Sequence, residues 1–131
     1  MPCLGTDVFA SGSRDKTIKI WSAFNEQCIQ TLLGHTGCVL DLQLTLNNQL
    51  ISCSFDKTIR IWDLTTFVCK RVLNEHSEYV SCIRLTANQV NLVSLSFDER
   101  IFVWNMETGE CVKRLQIDSN VNGFEFFTLI E

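Results

Sequence analysis

The sequence predicts an all-β chain of repeated four-stranded antiparallel units, and three observations carry that expectation. One segment occurs three times along the 131 residues, at steps of 41 and then 42. The runs within each copy alternate apolar and polar side chains, as half-buried strands do. No stretch sustains the 3.6-residue period of an amphipathic helix.

The segment Ser11 to Trp21 (SGSRDKTIKIW) returns as Ser52 to Trp62 (SCSFDKTIRIW) and as Ser94 to Trp104 (SLSFDERIFVW). Asp15, Asp56 and Asp98 keep the same steps, as do Cys28, Cys69 and Cys111. Val39, Val80 and Val121 are 41 residues apart, and Gly34-His35 is echoed by Glu75-His76. Several columns in one register make the repeat secure.

Each unit divides into four short strands, lettered a to d. Strand a takes residues near 38–45, 79–86 and 120–127, where runs such as Val39 to Leu44 (VLDLQL) alternate. Strand b lies near 8–12, 49–53 and 92–96. Strand c lies near 17–21, 58–62 and 100–104; its Thr58 to Trp62 copy is β-branched and aromatic, which suits a pleated surface. Strand d lies near 28–32, 69–73 and 111–115. Asn47-Asn48, Asn88 and Thr108-Gly109 supply turns between runs. The whole of 1–131 is then one repeat array. It holds strands b to d of a first unit at about 8–33, a second unit at about 34–74, a third at about 75–116, and strand a of a further unit at about 118–128.

A unit of about 40 residues with Gly-His before it and Trp62-Asp63 at its third strand resembles the WD-repeat β-propeller family. The resemblance covers about residues 8 to 127 and implies a partial propeller of about three blades, an open arc or half of a ring. It also implies a polar tetrad per blade. In the middle copy Asp56 would bond His35, His35 would reach Ser52, and Ser52 would meet the indole N–H of Trp62. The third copy offers His76, Ser94, Asp98 and Trp104. The first offers Ser11, Asp15 and Trp21 without a histidine, and Ile117-Asp118 stands where the next Gly-His would be. Buried polar groups of this kind need partners or carry a desolvation penalty. The tetrads are therefore read as holding turns in place rather than as Ser-His-Asp catalytic sites, since no Gly-x-Ser-x-Gly elbow accompanies them.

The remaining composition narrows the function classes. Eleven Lys and Arg against fifteen Asp and Glu give a net charge of −4, a poor basis for binding a phosphate backbone. No apolar run approaches the roughly 18 residues of a membrane span. The first residues lack the apolar core of a secretion signal, and seven cysteines is an odd number. The expectation is a soluble protein of a reducing compartment, cytoplasm or nucleus. No Cys-x-x-Cys pair or Gly-rich phosphate loop is present, so no metal and no cofactor is expected. Cys28, Cys69 and Cys111 read as small buried hydrophobes. Lys70-Arg71 and Lys113-Arg114 on strand d read as charges that keep an exposed sheet edge from pairing.

The resemblance also implies that partners dock on the face carrying the b–c turns. The residue before each tetrad Asp is Arg14, Phe55 or Phe97; the residue before each strand-a Val is Cys38, Tyr79 or Asn120. Exposed aromatics and Arg are typical interface anchors. Arg14, Cys38, Phe55, Tyr79 and Phe97 are accordingly the candidate protein-binding residues. The function implied is a non-enzymatic scaffold or adaptor that binds proteins or peptides. Alternatives are the substrate-recognition propeller of a ubiquitin ligase, although Thr65 stands where such receptors carry Arg, and a regulatory propeller attached to an enzyme domain outside this chain.

Closed propellers have about 4–8 blades. A three-blade arc leaves one sheet face bare at each end, and about 400 Å² of bare apolar surface forfeits about 10 kcal/mol, comparable to the stability of a whole domain. The expectation is therefore a piece of a longer propeller protein, with a ring of two chains as the other reading.

Overall fold

The computed structural model describes residues 8–117. The described residues form eleven strands and no helix. They are β1 (Val8–Gly12), β2 (Ile18–Ser22), β3 (Cys28–Leu32), β4 (Val39–Leu44), β5 (Gln49–Ser54), β6 (Ile59–Asp63), β7 (Val68–Leu73), β8 (Val80–Leu85), β9 (Asn91–Ser96), β10 (Arg100–Asn105) and β11 (Cys111–Gln116). The strand expected at 120–127 lies outside the described residues, as does Asn120.

Three antiparallel sheets result, ordered β1-β2-β3, β4-β5-β6-β7 and β8-β9-β10-β11. They are arranged as an open arc of propeller blades. The inner strands β4 and β8 lie side by side, and β1 lies against β4. Every strand pair is a meander neighbour, so short turns suffice and no long crossover is needed. The c–d pairs share an irregularity beside the tryptophan: the register shifts between Ile20 and Trp21, between Ile61 and Trp62, and between Val103 and Trp104.

Successive side chains point to opposite faces of a sheet, and strands such as β5 and β9, buried at nearly every position, pack on both sides. One core fills the space between blades one and two and holds Ile18, Ile20, Leu32, Val39, Leu50, Trp62 and Leu64. The other fills the space between blades two and three and includes Ile51, Ile59, Ile61, Leu73, Ile83, Leu92 and Trp104. Repeat-equivalent residues thus have opposite fates at the ends of the arc. Trp62 and Trp104 are buried, while Trp21 is half-buried with Phe9 stacked on it.

The three strand-d cysteines depart from their sequence reading. Cys28 is exposed, and Cys69 and Cys111 are only half-buried. Each sits at the register shift, where the thiol turns toward its own strand and donates to the carbonyl two residues on: Gln30, Arg71 or Lys113. Among the described residues the buried cysteines are Cys53 and Cys82, on the inner strand pairs. Arg71 is also more than an edge charge. Its guanidinium donates to the carbonyls of Thr108 and Glu107, at 2.7 and 3.3 Å, and so ties β7 to the turn of the next blade. Gly109 in that turn has φ +76°, and a Cβ there would land on the Arg71 guanidinium.

Candidate protein-docking face

The three b–c turns are built alike. The carbonyls of Ser13, Ser54 and Ser96 each accept from the N–H three residues on, at 3.2 Å. Those last residues, Lys16, Lys57 and Glu99, take φ of 77°, 75° and 65°. In each turn the serine Oγ accepts from the aspartate N–H, and the aspartate Oδ1 accepts from the N–H of Thr17, Thr58 or Arg100. Short polar side chains bonding their own backbone in this way fix a tight turn.

In blades two and three the second carboxylate oxygen continues inward. Asp56 Oδ2 and Asp98 Oδ2 each lie 2.8 Å from a histidine Nδ1, of His35 and His76. The His35 Nε2 lies 2.7 Å from Ser52 Oγ, and the His76 Nε2 the same distance from Ser94 Oγ. The indoles of Trp62 and Trp104 donate to those hydroxyls at 2.9 Å. A neutral imidazole protonated on Nδ1 satisfies every member: indole to hydroxyl, hydroxyl to Nε2, Nδ1 to carboxylate. Ser52 and Ser94 are wholly buried and fully engaged, so neither hydroxyl faces a space where a substrate could sit. In blade one the Trp21 indole donates to Ser11 at 2.9 Å, and Asp15 bonds only within its own turn among the described residues.

The electrostatics follow from this geometry. Burial pushes the His35 and His76 pKa values below 6.5; the bonds to Asp56 and Asp98 oppose that shift but do not reverse it. Asp56 is raised by burial, yet hydrogen bonds from Thr58, His35 and Thr36 outweigh this and hold it at about 2. A folded pKa below the unfolded one means stability present above the unfolded value and lost as pH falls. The melting temperature should therefore decline as pH falls below about 6.5, where the unfolded histidines bind protons and the folded ones do not. A second decline should follow below 3.8 as Asp56 titrates toward about 2. Thermal melts from neutral pH downward check this, and a melting temperature flat through the imidazole range would contradict it.

Above the turns the five candidate docking residues come together in one row. Cys38 Sγ contacts the Arg14 carbonyl at 3.7 Å, and the Cys38 carbonyl accepts from Phe55 N–H at 2.8 Å. The Phe55 ring stacks on Tyr79 at 4.4 Å, and Tyr79 stacks on Phe97 at 4.2 Å. Phe97 N–H closes the row on the Tyr79 carbonyl. Tyr79, at the start of blade three, thus lies between the turn phenylalanines of blades two and three. Phe55 and Phe97 remain 53% and 60% exposed. Gly37 permits the close approach, since a Cβ there would stand 2.7 Å from the Asp56 nitrogen and 3.1 Å from the Phe55 carbonyl carbon. Exposed charges of both signs border the row: Arg14, Asp15 and Lys16 in the first turn, Lys57 in the second, and Glu78, Glu99 and Arg100 at blade three.

Two features of the site carry no signal in the repeat. Asp41 on β4 accepts from Ile83 N–H at 3.0 Å and from Arg84 Nη1 at 2.8 Å, which pins together the inner strands of blades two and three. The equivalent positions hold Cys82 and Gln43, so the pair belongs to one junction only. His76 also stacks on Phe102 at 4.1 Å, where blade two has Arg60 beside His35. On the opposite face a groove of about 870 Å³ runs between blades two and three, lined by Leu46, Ile61, Lys70, Val90 and Met106 among others.

The family model for the "WD domain, G-beta repeat" matches residues 3–22, 26–63 and 67–105, most of the chain. The chain belongs to the WD40 repeat family. The WD40 β-propeller domain of Doa1 superposes with a TM-score of 0.78 at 32% identity, over 85% of this chain and 37% of that one. Among curated relatives, F-box/WD repeat-containing protein 7 of Drosophila melanogaster is 58% identical over 33 residues, which is 25% of this chain and 2% of that protein. Nuclear distribution protein PAC1 of Cryptococcus neoformans var. neoformans serotype D is 57% identical over 30 residues, 23% of this chain and 7% of that protein. A Lissencephaly-1 homolog of Heterostelium pallidum is 50% identical over 34 residues, 26% of this chain and 8% of that protein. The chain thus spans only a small part of the curated relatives it matches. WD40 propellers are generally non-enzymatic modules that bind other proteins.

Proposed function

We propose that this WD40 chain is a scaffold or adaptor module that docks a protein or peptide on the row Arg14, Cys38, Phe55, Tyr79 and Phe97. The observation that carries this reading is the stacked ladder of Phe55, Tyr79 and Phe97. Its two phenylalanines stay more than half exposed on turns that need no aromatic for their own geometry. Rigid rings at a surface offer large contact area at little entropic loss, which is what interface anchors require.

A reducing setting, cytoplasm or nucleus, fits the six described cysteines, all present as thiols. Among the described residues no helix is long and apolar enough to cross a membrane. The substrate-recognition role in a ubiquitin ligase is the second reading, favoured by the likeness to the F-box/WD protein. That likeness covers 33 residues, less than one repeat, and so speaks to a blade more than to a shared substrate site.

The double variant Phe55→Ser, Phe97→Ser tests the proposal. It should keep the wild-type melting temperature to within about 1 kcal/mol of stability, because both rings are largely outside the core. It should lose most of the capture of partners retained by the wild-type chain from lysate. Unchanged capture with reduced stability would mean that the rings serve only to pack the turns.

A further inference from the structure

We propose that the groove between blades two and three is a second docking site, and that it takes an extended acidic peptide bearing a large apolar side chain. The groove opens on the face opposite the aromatic row and has a volume of about 870 Å³. That lies within the range of ordinary ligand pockets, roughly 300–1,000 Å³. Its walls belong to blades two and three, each present with all four strands. It shares no residue with the aromatic row, so it stands or falls separately from that site.

The groove is preformed, because its walls are tight turns locked by their own side chains. In the β4–β5 turn the Thr45 hydroxyl accepts from Gln49 N–H at 2.9 Å, and in the β8–β9 turn the Thr86 hydroxyl accepts from Asn91 N–H at 3.2 Å. Leu46 N–H donates to Gln89 Oε1 at 2.8 Å, which ties these two turns together across the blade boundary. The β10–β11 turn forms the third wall, where Arg71 holds the carbonyls of Glu107 and Thr108. A site that is rigid before binding loses little entropy when it is filled.

The lining is partly apolar. Ile61 is buried and Met106 half-buried, and both belong to the core between the two blades. Leu46 and Val90 line the groove from the two turns and are 91% and 50% exposed.

The polar part is rich in donors and poor in acceptors. Asn88 Oδ1 accepts from Val90 N–H, Asn105 Oδ1 from the N–H groups of Glu107 and Thr108, and Gln89 Oε1 from Leu46 N–H. A backbone N–H can only donate, so these bonds fix each amide with its oxygen toward the turn. The three NH2 groups have no acceptor among the described residues. Lys70 makes no ion pair there either; the carboxylate that feels its charge, Asp63, is held by the N–H groups of Thr65 and Thr66. The groove thus sets Lys70 and Arg71 against the single carboxylate of Glu107, a local excess of positive charge in a chain of net charge −4.

Unused donors beside apolar surface and positive charge call for a ligand rich in acceptors. An extended peptide supplies free carbonyls for the amides, an Asp or Glu for Lys70, and a Leu- or Met-sized side chain for Ile61 and Met106. A nucleic acid is also rich in acceptors, but its phosphate repeat is repelled by a chain of net charge −4.

The test selects random peptides displayed on phage against the whole 131-residue chain, then measures each enriched peptide by isothermal titration. One enriched class is expected to carry Asp or Glu close to Leu, Ile or Met. Its binding should fall about tenfold or more in Leu46→Asp and in Lys70→Glu, and rise about twofold in Glu107→Gln. It should be unchanged in the Phe55→Ser, Phe97→Ser variant, whereas a peptide docked on the aromatic row gives the reverse pattern. Leu46 and Lys70 lie outside the core, so circular dichroism should be unchanged in both variants; if Leu46→Asp alters it, Lys70→Glu and Glu107→Gln carry the decision. Recovery of no class sensitive to Lys70→Glu, or a sensitive class that is basic, would overturn the proposal, as would an oligonucleotide that binds with the same sensitivities.

Discussion

Trp62→Ala is expected to cost about 3–5 kcal/mol, the range for emptying a large aromatic site in a core, and to unfold much of the chain at room temperature. Trp62 is 2% exposed in the core between blades one and two, and its indole N–H satisfies Ser52. Trp104→Ala should cost about the same, because Trp104 is equally buried between blades two and three. Trp21→Ala should cost only about 1–2 kcal/mol, since Trp21 stands half-buried at the end of the arc with Phe9 as its ring neighbour. Denaturant melts of the three variants, at concentrations where the chain is monomeric, give the comparison. Three equal losses would contradict an arc with two internal interfaces.

The second large effect is Ser52→Ala, at about 3 kcal/mol, because a buried donor or acceptor left without a partner costs about 1–3 kcal/mol. The substitution strands two groups at once, the Trp62 indole N–H and the His35 Nε2, at a site with no exposure. Ser11→Ala should cost about 1 kcal/mol: it strands only the Trp21 indole, and water reaches that half-buried ring. Adding Trp62→Phe to Ser52→Ala removes one stranded group along with its partner, so the double variant should be more stable than the sum of the single losses implies. Strict additivity in chemical denaturation would mean that hydroxyl and indole act independently.

The fold was legible because the repeat speaks in several columns at once. Trp21, Trp62 and Trp104 set the period, and alternation in runs such as Val39 to Leu44 set the strands. Every strand between 8 and 116 lies within two residues of its sequence estimate. The candidate docking residues were legible for the same reason, since Phe55 and Phe97 hold one repeat position and Cys38 and Tyr79 another. That the rings form a single ladder was not legible, because it depends on how far Tyr79 reaches across the blade boundary. The Asp41–Arg84 pair was hidden because it occupies positions that do not repeat. The strand-d cysteines misled for a local reason: the register shift beside each tryptophan turns an apparently inward position toward the edge. A pattern of alternation cannot reveal a shift of one residue.

The same shifts mark where the three blades are alike, and the ends of the arc mark where they differ. The exchange of the three indole N–H protons, followed by NMR on the monomeric chain, separates these most directly. The account predicts slow exchange at Trp62 and Trp104, each buried and bonded to serine, and fast exchange at Trp21 despite its identical bond to Ser11. Equal exchange at all three, fast or slow, would contradict three blades packed face to face with the first one bare.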